Sequence, residues 1–228
     1  VDHGALDEEP AISDAEREYL LEAAQKAFPG AEITEKDVIS TWSGVRPVID
    51  TGKSDPSKES REHAIWKEDG LLTITGGKLT TFAVMARDAL GEAEEDLGGL
   101  RARTRVLEPH IEGIEWPSSI TEEDRVRLLG RFGAEIVEIT GDRDGCHRIP
   151  GSIALWSELR HAARAEGVVT LSDLLLRRVR LGLLLPKGGL DIIGQIRAVA
   201  QPELGWDDAK WDAEVASYTE TWKKAYSP

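Results

Sequence analysis

Strand character in this chain ends before Arg101, and that asymmetry limits its fold more than any other feature. Ahead of it, residues 38–45 read as a strand, because Val38, Ile39, Thr41, Trp42 and Val45 are β-branched or aromatic. Residues 63–67 and 71–75 read as shorter strands joined through Glu68-Asp69-Gly70, a hairpin turn. Helices flank them. Ser13-Asp14-Ala15-Glu16 has capping-box spacing, Leu21, Ala24 and Phe28 share a helical face, and Pro29-Gly30 stops the run. Residues 50–59 form a polar loop dense in turn formers. After Gly76-Gly77 the spacing predicts a helix from Leu79 to about Leu97, closed by Gly98-Gly99.

Beyond Arg101 the apolar periods are all helical. Thr121-Glu122-Glu123-Asp124 is a capped start, followed by Val126, Leu129 and Ile136 in short helices broken at Gly133. Residues 140–151 are a loop. Ser152 then opens a helix carrying Leu155, Leu159 and Ala162, ended by Gly167. Thr170-Leu171-Ser172-Asp173 caps the next helix, which is expected to run to Leu185, ahead of Pro186. Ile192, Ile196 and Val199 mark another, stopped by Pro202. In the last, Trp211, Val215, Tyr218 and Trp222 fall at i, i+4, i+7 and i+11. The expected class is α+β: a small mixed α/β segment over residues 1–100, a connector over 101–117, and an all-helical C-terminal domain over 118–228.

Composition removes whole classes of function. With 28 Lys+Arg against 42 Asp+Glu the net charge is −14, which opposes a broad footprint on nucleic acid or an anionic membrane. No apolar run approaches the roughly 20 residues needed to span a bilayer. The single cysteine, Cys146, rules out a disulfide framework or a multi-cysteine metal site and fits a reducing, cytoplasmic setting. The start, Val1-Asp2-His3-Gly4, has no signal-peptide pattern, and the chain reads as an internal piece of a longer protein.

The strongest local feature is residues 71–81, an apolar strand, two glycines, and a helix start with hydroxyls in its first turn. Such a turn brings bare backbone N–H groups to an anionic or carbonyl-bearing ligand, and Lys78 adds a mobile charge. It is not a phosphate-binding P-loop, since Leu72 stands where the first glycine belongs and Leu79 where the hydroxyl belongs. A plain strand-to-helix turn is an equal reading of the same glycines. Arg46, held extended before Pro47, and Arg61, beyond the polar loop, suit a two-pronged grip on phosphate or carboxylate, or else surface ion pairs. His147 beside Cys146 lacks an orienting third group, and residues 142–145 lack calcium-loop spacing. No catalytic residue and no metal ligand is singled out. Arg177, Arg178 and Arg180 form a basic spot confined to one helix, read as a solvated or interdomain face. Trp211 and Trp222 read as core anchors, and residues 181–185 as the buried end of a helix in preference to a small membrane-facing apolar patch.

Several of these segments carry a resemblance. Thr41-Trp42-Ser43-Gly44-Val45-Arg46-Pro47, Asp55-Pro56-Ser57 with Ser60-Arg61-Glu62-His63, and the stretch from Asp69 through Thr81 resemble the C-terminal half of FAD-dependent glycerol-3-phosphate dehydrogenases. Leu171-Ser172-Asp173-Leu174-Leu175-Leu176-Arg177-Arg178-Val179-Arg180-Leu181-Gly182 resembles the signature of that family's helical C-terminal domain. The motifs occur in the family's order over essentially the whole chain.

The resemblance implies oxidation of sn-glycerol 3-phosphate to dihydroxyacetone phosphate, with FAD as cofactor and a quinone or another electron acceptor. It implies substrate contacts from Arg46, Arg61 and Lys78, and flavin contacts from Gly76, Gly77, Lys78, Leu79 and Thr80. Phe82 stands where many relatives carry tyrosine. The family's N-terminal half binds FAD through a Gly-x-Gly-x-x-Gly fingerprint, and these residues contain none. Residues 1–100 are then the last part of an FAD/substrate domain, and the chain alone is expected to be silent. A missing N-terminal FAD-binding half is the expected partner, a homodimer is open, and no nucleic acid is expected. Quinone-linked relatives are expected at the inner face of the cell membrane. The alternatives are a stand-alone helical binding or regulatory module, or a flavin-dependent oxidase of another hydroxy acid or amine.

Overall fold

The structure, a computed structural model, describes residues 9–45, 62–99 and 113–228. The polar loop 50–59 and most of the connector 101–117 lie outside these residues. Helix α1 (Asp14–Ala27) begins where its capping box predicts. The Ser13 backbone N–H donates to Glu16 Oε2 at 3.0 Å, and the Glu16 N–H donates to Ser13 Oγ at 3.3 Å. The strand expected over residues 38–45 does not form. That segment pairs with no strand among the described residues, and Trp42 and Val45 are exposed. Its polar groups reach the C-terminus instead: the Thr41 N–H donates to Tyr226 O at 2.9 Å and the Ser40 hydroxyl to Leu183 O at 2.7 Å. β-Branched residues favour extended backbone, but with no neighbouring strand among the described residues no ladder follows there.

The hairpin forms as predicted. β1 (His63–Glu68) and β2 (Leu71–Gly76) run antiparallel with Glu68 opposite Leu71, in the two-stranded sheet of the described residues. Asp69 and Gly70 both have positive φ, 48° and 82°, as a two-residue turn matched to strand twist requires. A 3₁₀ turn, Leu79–Thr81, leads into α2 (Phe82–Glu92). This helix is shorter than expected, because looser turns replace it from Ala93 to the positive-φ pair Gly98 and Gly99. None of the described residues from 62 to 99 is buried.

The remaining elements are helical: α3 (Glu122–Phe132), α4 (Ile136–Gly141), α5 (Trp156–Ala165), α6 (Leu181–Leu184), α7 (Ile193–Leu204) and α8 (Asp208–Ala225). Helix plus one hairpin among the described residues makes the class α+β with a mostly helical domain. Boundaries differ from expectation in four places. Val126 is exposed, and α3 turns Leu128 and Phe132 inward. Ser152 lies before α5, whose N-cap is Leu155. Pro202 sits within the last turn of α7, where its missing N–H removes only one late bond, and Gly205 (φ 64°) ends the helix.

The fourth difference is the largest. No helix runs unbroken from Thr170 to Leu185. Asp173–Arg178 is a π-turn, Arg180 takes a left-handed conformation, and α6 restarts at Leu181. The wide turn allows Leu174, Leu175 and Leu176 to be buried in succession, which a regular helix with one inward face cannot do. These leucines meet Trp211, Tyr218 and Trp222 of α8 in one core. A second core gathers Leu128, Phe132, Ile136 and Ile139 around Cys146 and Leu155.

Between α3 and α5 lies a buried ion cluster. Glu158 is fully buried, and Arg127 grips it with two bonds of 2.8 Å. Its Oε2 also accepts the Leu155 N–H at 2.8 Å, closing the start of α5. Asp124, also buried, accepts from Thr121 Oγ1 at 2.9 Å and from Arg148 at 3.1 Å.

Two compact units result: the hairpin with α2, and residues 9–44 together with 113–228. The division read from the sequence puts all of residues 1–100 in the first part. Contacts instead tie the first stretch to the C-terminus through Ser40, Thr41 and the 2.7 Å bond from the Tyr226 hydroxyl to Glu9. That link is invisible in sequence, since its ends lie 217 residues apart.

Candidate functional site

The candidate site is the turn between β2 and α2. Gly76 and Gly77 both hold positive φ, 78° and 75°, so the chain reverses from strand to helix without a Cβ penalty. Gly77 is required twice over, because an added Cβ would lie 2.9 Å from Met85 Cε and 3.4 Å from His63 Cβ. At the next residue the Lys78 N–H donates to Thr81 Oγ1 at 3.1 Å, while the Thr81 hydroxyl donates back to Lys78 O at 2.9 Å. The Leu79 and Thr80 N–H groups find no acceptor among the described residues. Lys78 is exposed, and no carboxylate lies within 4.0 Å of its ammonium among those residues.

The turn thus presents two backbone donors unpaired among the described residues, a mobile cation, and Leu79 at 89% exposure. That set suits a carbonyl or anionic edge of a ligand laid over the glycines. Beneath it, His63 Nε2 and Asp88 Oδ2 lie 3.1 Å apart and tie β1 to α2. The sequence gives no hint of this pair, since residues 25 apart meet only once the hairpin folds.

Of the residues singled out from sequence, Gly76, Gly77, Lys78, Leu79 and Thr80 are contiguous on this turn. Arg46 and Arg61 lie outside the described residues. Cys146 is buried, with its Sγ 3.4 Å from Ile139 O, and burial raises its thiol pKa. His147 beside it is exposed, and no hydrogen bond joins the two. Among the described residues no group of His, Cys, Asp and Glu could hold a metal ion, and no helix is long and apolar enough to cross a membrane. The basic spot is not confined to one helix, because Arg127 and Arg131 of α3 line the same cavity as Arg177, Arg178 and Arg180.

Comparison with known proteins gives this geometry a context. Residues 75–211 match the family model described as the C-terminal domain of alpha-glycerophosphate oxidase, so the match starts at the glycine turn and takes in the helices through the start of α8. Glycerol-3-phosphate dehydrogenase 2 of Mycobacterium tuberculosis (strain ATCC 25618 / H37Rv) is 31% identical, covering 92% of this chain and 39% of that protein. Glycerol-3-phosphate dehydrogenase of Mycobacterium leprae is 29% identical, with the same two coverages of 92% and 39%. Aerobic glycerol-3-phosphate dehydrogenase of Staphylococcus aureus (strain MRSA252) is 27% identical, covering 95% of this chain and 42% of that protein. The chain therefore spans about two fifths of the length of the curated relatives it matches. With the glycine turn and the helical signature in the matched order, the chain belongs to the family of the C-terminal domain of alpha-glycerophosphate oxidase.

Proposed function

We propose that this chain is the C-terminal part of an enzyme that oxidises sn-glycerol 3-phosphate to dihydroxyacetone phosphate, with FAD as the cofactor. The observation that carries the reading is the turn at residues 76–80, whose Leu79 and Thr80 N–H groups and Lys78 ammonium have no partner among the described residues, in a chain of this family. The fit to a flavin rests on donor chemistry. The Leu79 and Thr80 N–H groups suit a ring carbonyl, and Lys78 suits an anionic flavin or a substrate oxygen. When bound, FAD supplies the two-electron acceptor for the substrate's secondary alcohol. Arg46 and Arg61 grip the phosphate in two-pronged fashion and fix the reacting carbon, while Lys78 orients the polar end nearest the turn.

In this reading the connector 101–117 separates a part that faces cofactor and substrate from the helical domain 118–228, with residues 9–44 packed on the helical side. The rest of such an enzyme supplies the pyrophosphate grip, the general base and the path to a quinone or other electron acceptor. Exposed apolar side chains around the hairpin, among them Trp66, Leu71, Leu79 and Phe82, support a missing covering layer.

The chain by itself is then silent and holds flavin weakly or not at all. Purified alone it should be colourless, and activity should appear when it is joined to the FAD-binding half of a relative. In that joined enzyme Lys78→Met should lower kcat/KM for glycerol 3-phosphate by about 100-fold, as expected for loss of a charge acting on the reacting groups. Tight yellow flavin on the isolated chain, or unchanged kinetics in Lys78→Met, would sink the proposal.

A further inference from the structure

A cavity of about 600 Å³ opens in the helical unit between α3 and the π-turn. Arg127, Arg131, Arg177, Arg178 and Arg180 line it, together with Glu166. Five arginines around one opening are unexpected in a chain with net charge −14. Three of them are engaged within the protein. Arg127 is held by Glu158 through two 2.8 Å bonds, and Arg177 pairs with Asp173 at 3.3 Å. Arg131 lies 3.5 Å from the same Glu158 and donates to the Arg178 carbonyl at 2.6 Å, fixing the backbone between the two remaining arginines.

Arg178 and Arg180 have no carboxylate within 4.0 Å among the described residues. Arg180 also carries backbone strain. Its φ of 56° and ψ of 22° place it in the left-handed region, where a side chain other than glycine, asparagine or aspartate is disfavoured. Glycine stands only two positions away, at Gly182, yet the strained position holds arginine.

We infer that this cavity binds a small soluble phosphorylated anion, held by the guanidinium forks of Arg178 and Arg180 with Arg131 behind them. The cavity lies in the size range of small-molecule sites, and planar guanidinium groups match phosphoryl oxygens two at a time. The strain at Arg180 is a local cost that a bound anion offsets. A lipid headgroup has the same chemistry, but the net charge of −14 opposes approach to an anionic leaflet. None of the five arginines is among the residues proposed above to hold glycerol phosphate.

Titration of the full 228-residue chain with sodium pyrophosphate, followed by calorimetry at low and high salt, tests this. Saturable binding to a single site that weakens with salt is expected. Arg178→Ala and Arg180→Gly should each weaken it by about tenfold or more, the loss of one charge-assisted fork. Arg180→Gly should at the same time raise the melting temperature, because glycine relieves the left-handed strain; a merely structural arginine would not separate the two readouts in this way. Arg143→Ala, exposed and paired with Glu115 elsewhere, should leave binding unchanged. Absence of binding, or binding indifferent to both substitutions, overturns the inference. So does association with phosphatidylglycerol vesicles that needs both arginines while pyrophosphate does not bind.

Discussion

Glu158 has no access to solvent, and a carboxylate there is tolerable because donors on two sides serve it. Arg127 meets it with two parallel bonds and the Leu155 N–H caps it from the other side. Removing one member of such a pair strands the other charge. Glu158→Ala is expected to cost about 3 kcal/mol, read as a fall in the denaturation midpoint. Glu158→Gln, which keeps an acceptor for Leu155, should cost less. Nothing at the level of single residues in the sequence marks Glu158 as the partner of Arg127, since they lie 31 positions apart. The Gly-Gly-Lys turn is the opposite case. Strand, glycines and helix start are neighbours along the chain, so local chemistry alone specifies the turn.

Among the elements, the segment from Thr170 to Leu185 shows where periodicity misleads. Its leucines are dense enough to predict one helix, yet the packed structure inserts a π-turn and a left-handed residue. The reason lies in α8. The Trp222 indole N–H donates to Gly182 O at 2.8 Å, and the Tyr218 hydroxyl donates to Gly188 O at 2.6 Å. Both glycines let backbone approach aromatic rings more closely than any Cβ allows. An added Cβ at Gly182 would sit 2.7 Å from Leu176 Cδ2 and against the Tyr218 hydroxyl. Gly182→Ala should therefore destabilise the helical unit by about 2 kcal/mol through overpacking, with thermal melting as the readout. The stripe on α8 itself was legible, because Trp211, Tyr218 and Trp222 repeat at helical spacing and all three are buried.

For the molecule as a whole, acid stability follows from two buried-side carboxylates in the helical unit. Burial disfavours the charge on Asp124, but hydrogen bonds from Thr121 and Arg148 and the charges of Arg148 and Arg127 outweigh it and hold the group below its ordinary value of 3.8. Asp173 is likewise lowered: burial is outweighed by bonds from the Thr170 backbone and hydroxyl and the Val169 backbone, and by the Arg177 charge. A depressed folded-state pKa stabilises fully above the unfolded value, about 3.9, and that contribution is lost as pH falls below it. Unfolding followed against pH should show stability falling steeply below about pH 4, and Asp124→Asn should flatten that limb while lowering stability at neutral pH. By itself the sequence determined what depends on near neighbours: the capping box at Ser13, the Asp69-Gly70 hairpin, the glycine turn and the inward stripe of α8. Tertiary structure alone decided what depends on distant partners. It withheld a strand from residues 38–45, which have no neighbouring strand among the described residues to complete a ladder, and tied Ser40 and Thr41 to the C-terminus. It broke the leucine-rich helix where α8 needed close backbone, and it brought arginines from two helices to one cavity, because packing and charge act through space rather than along the chain.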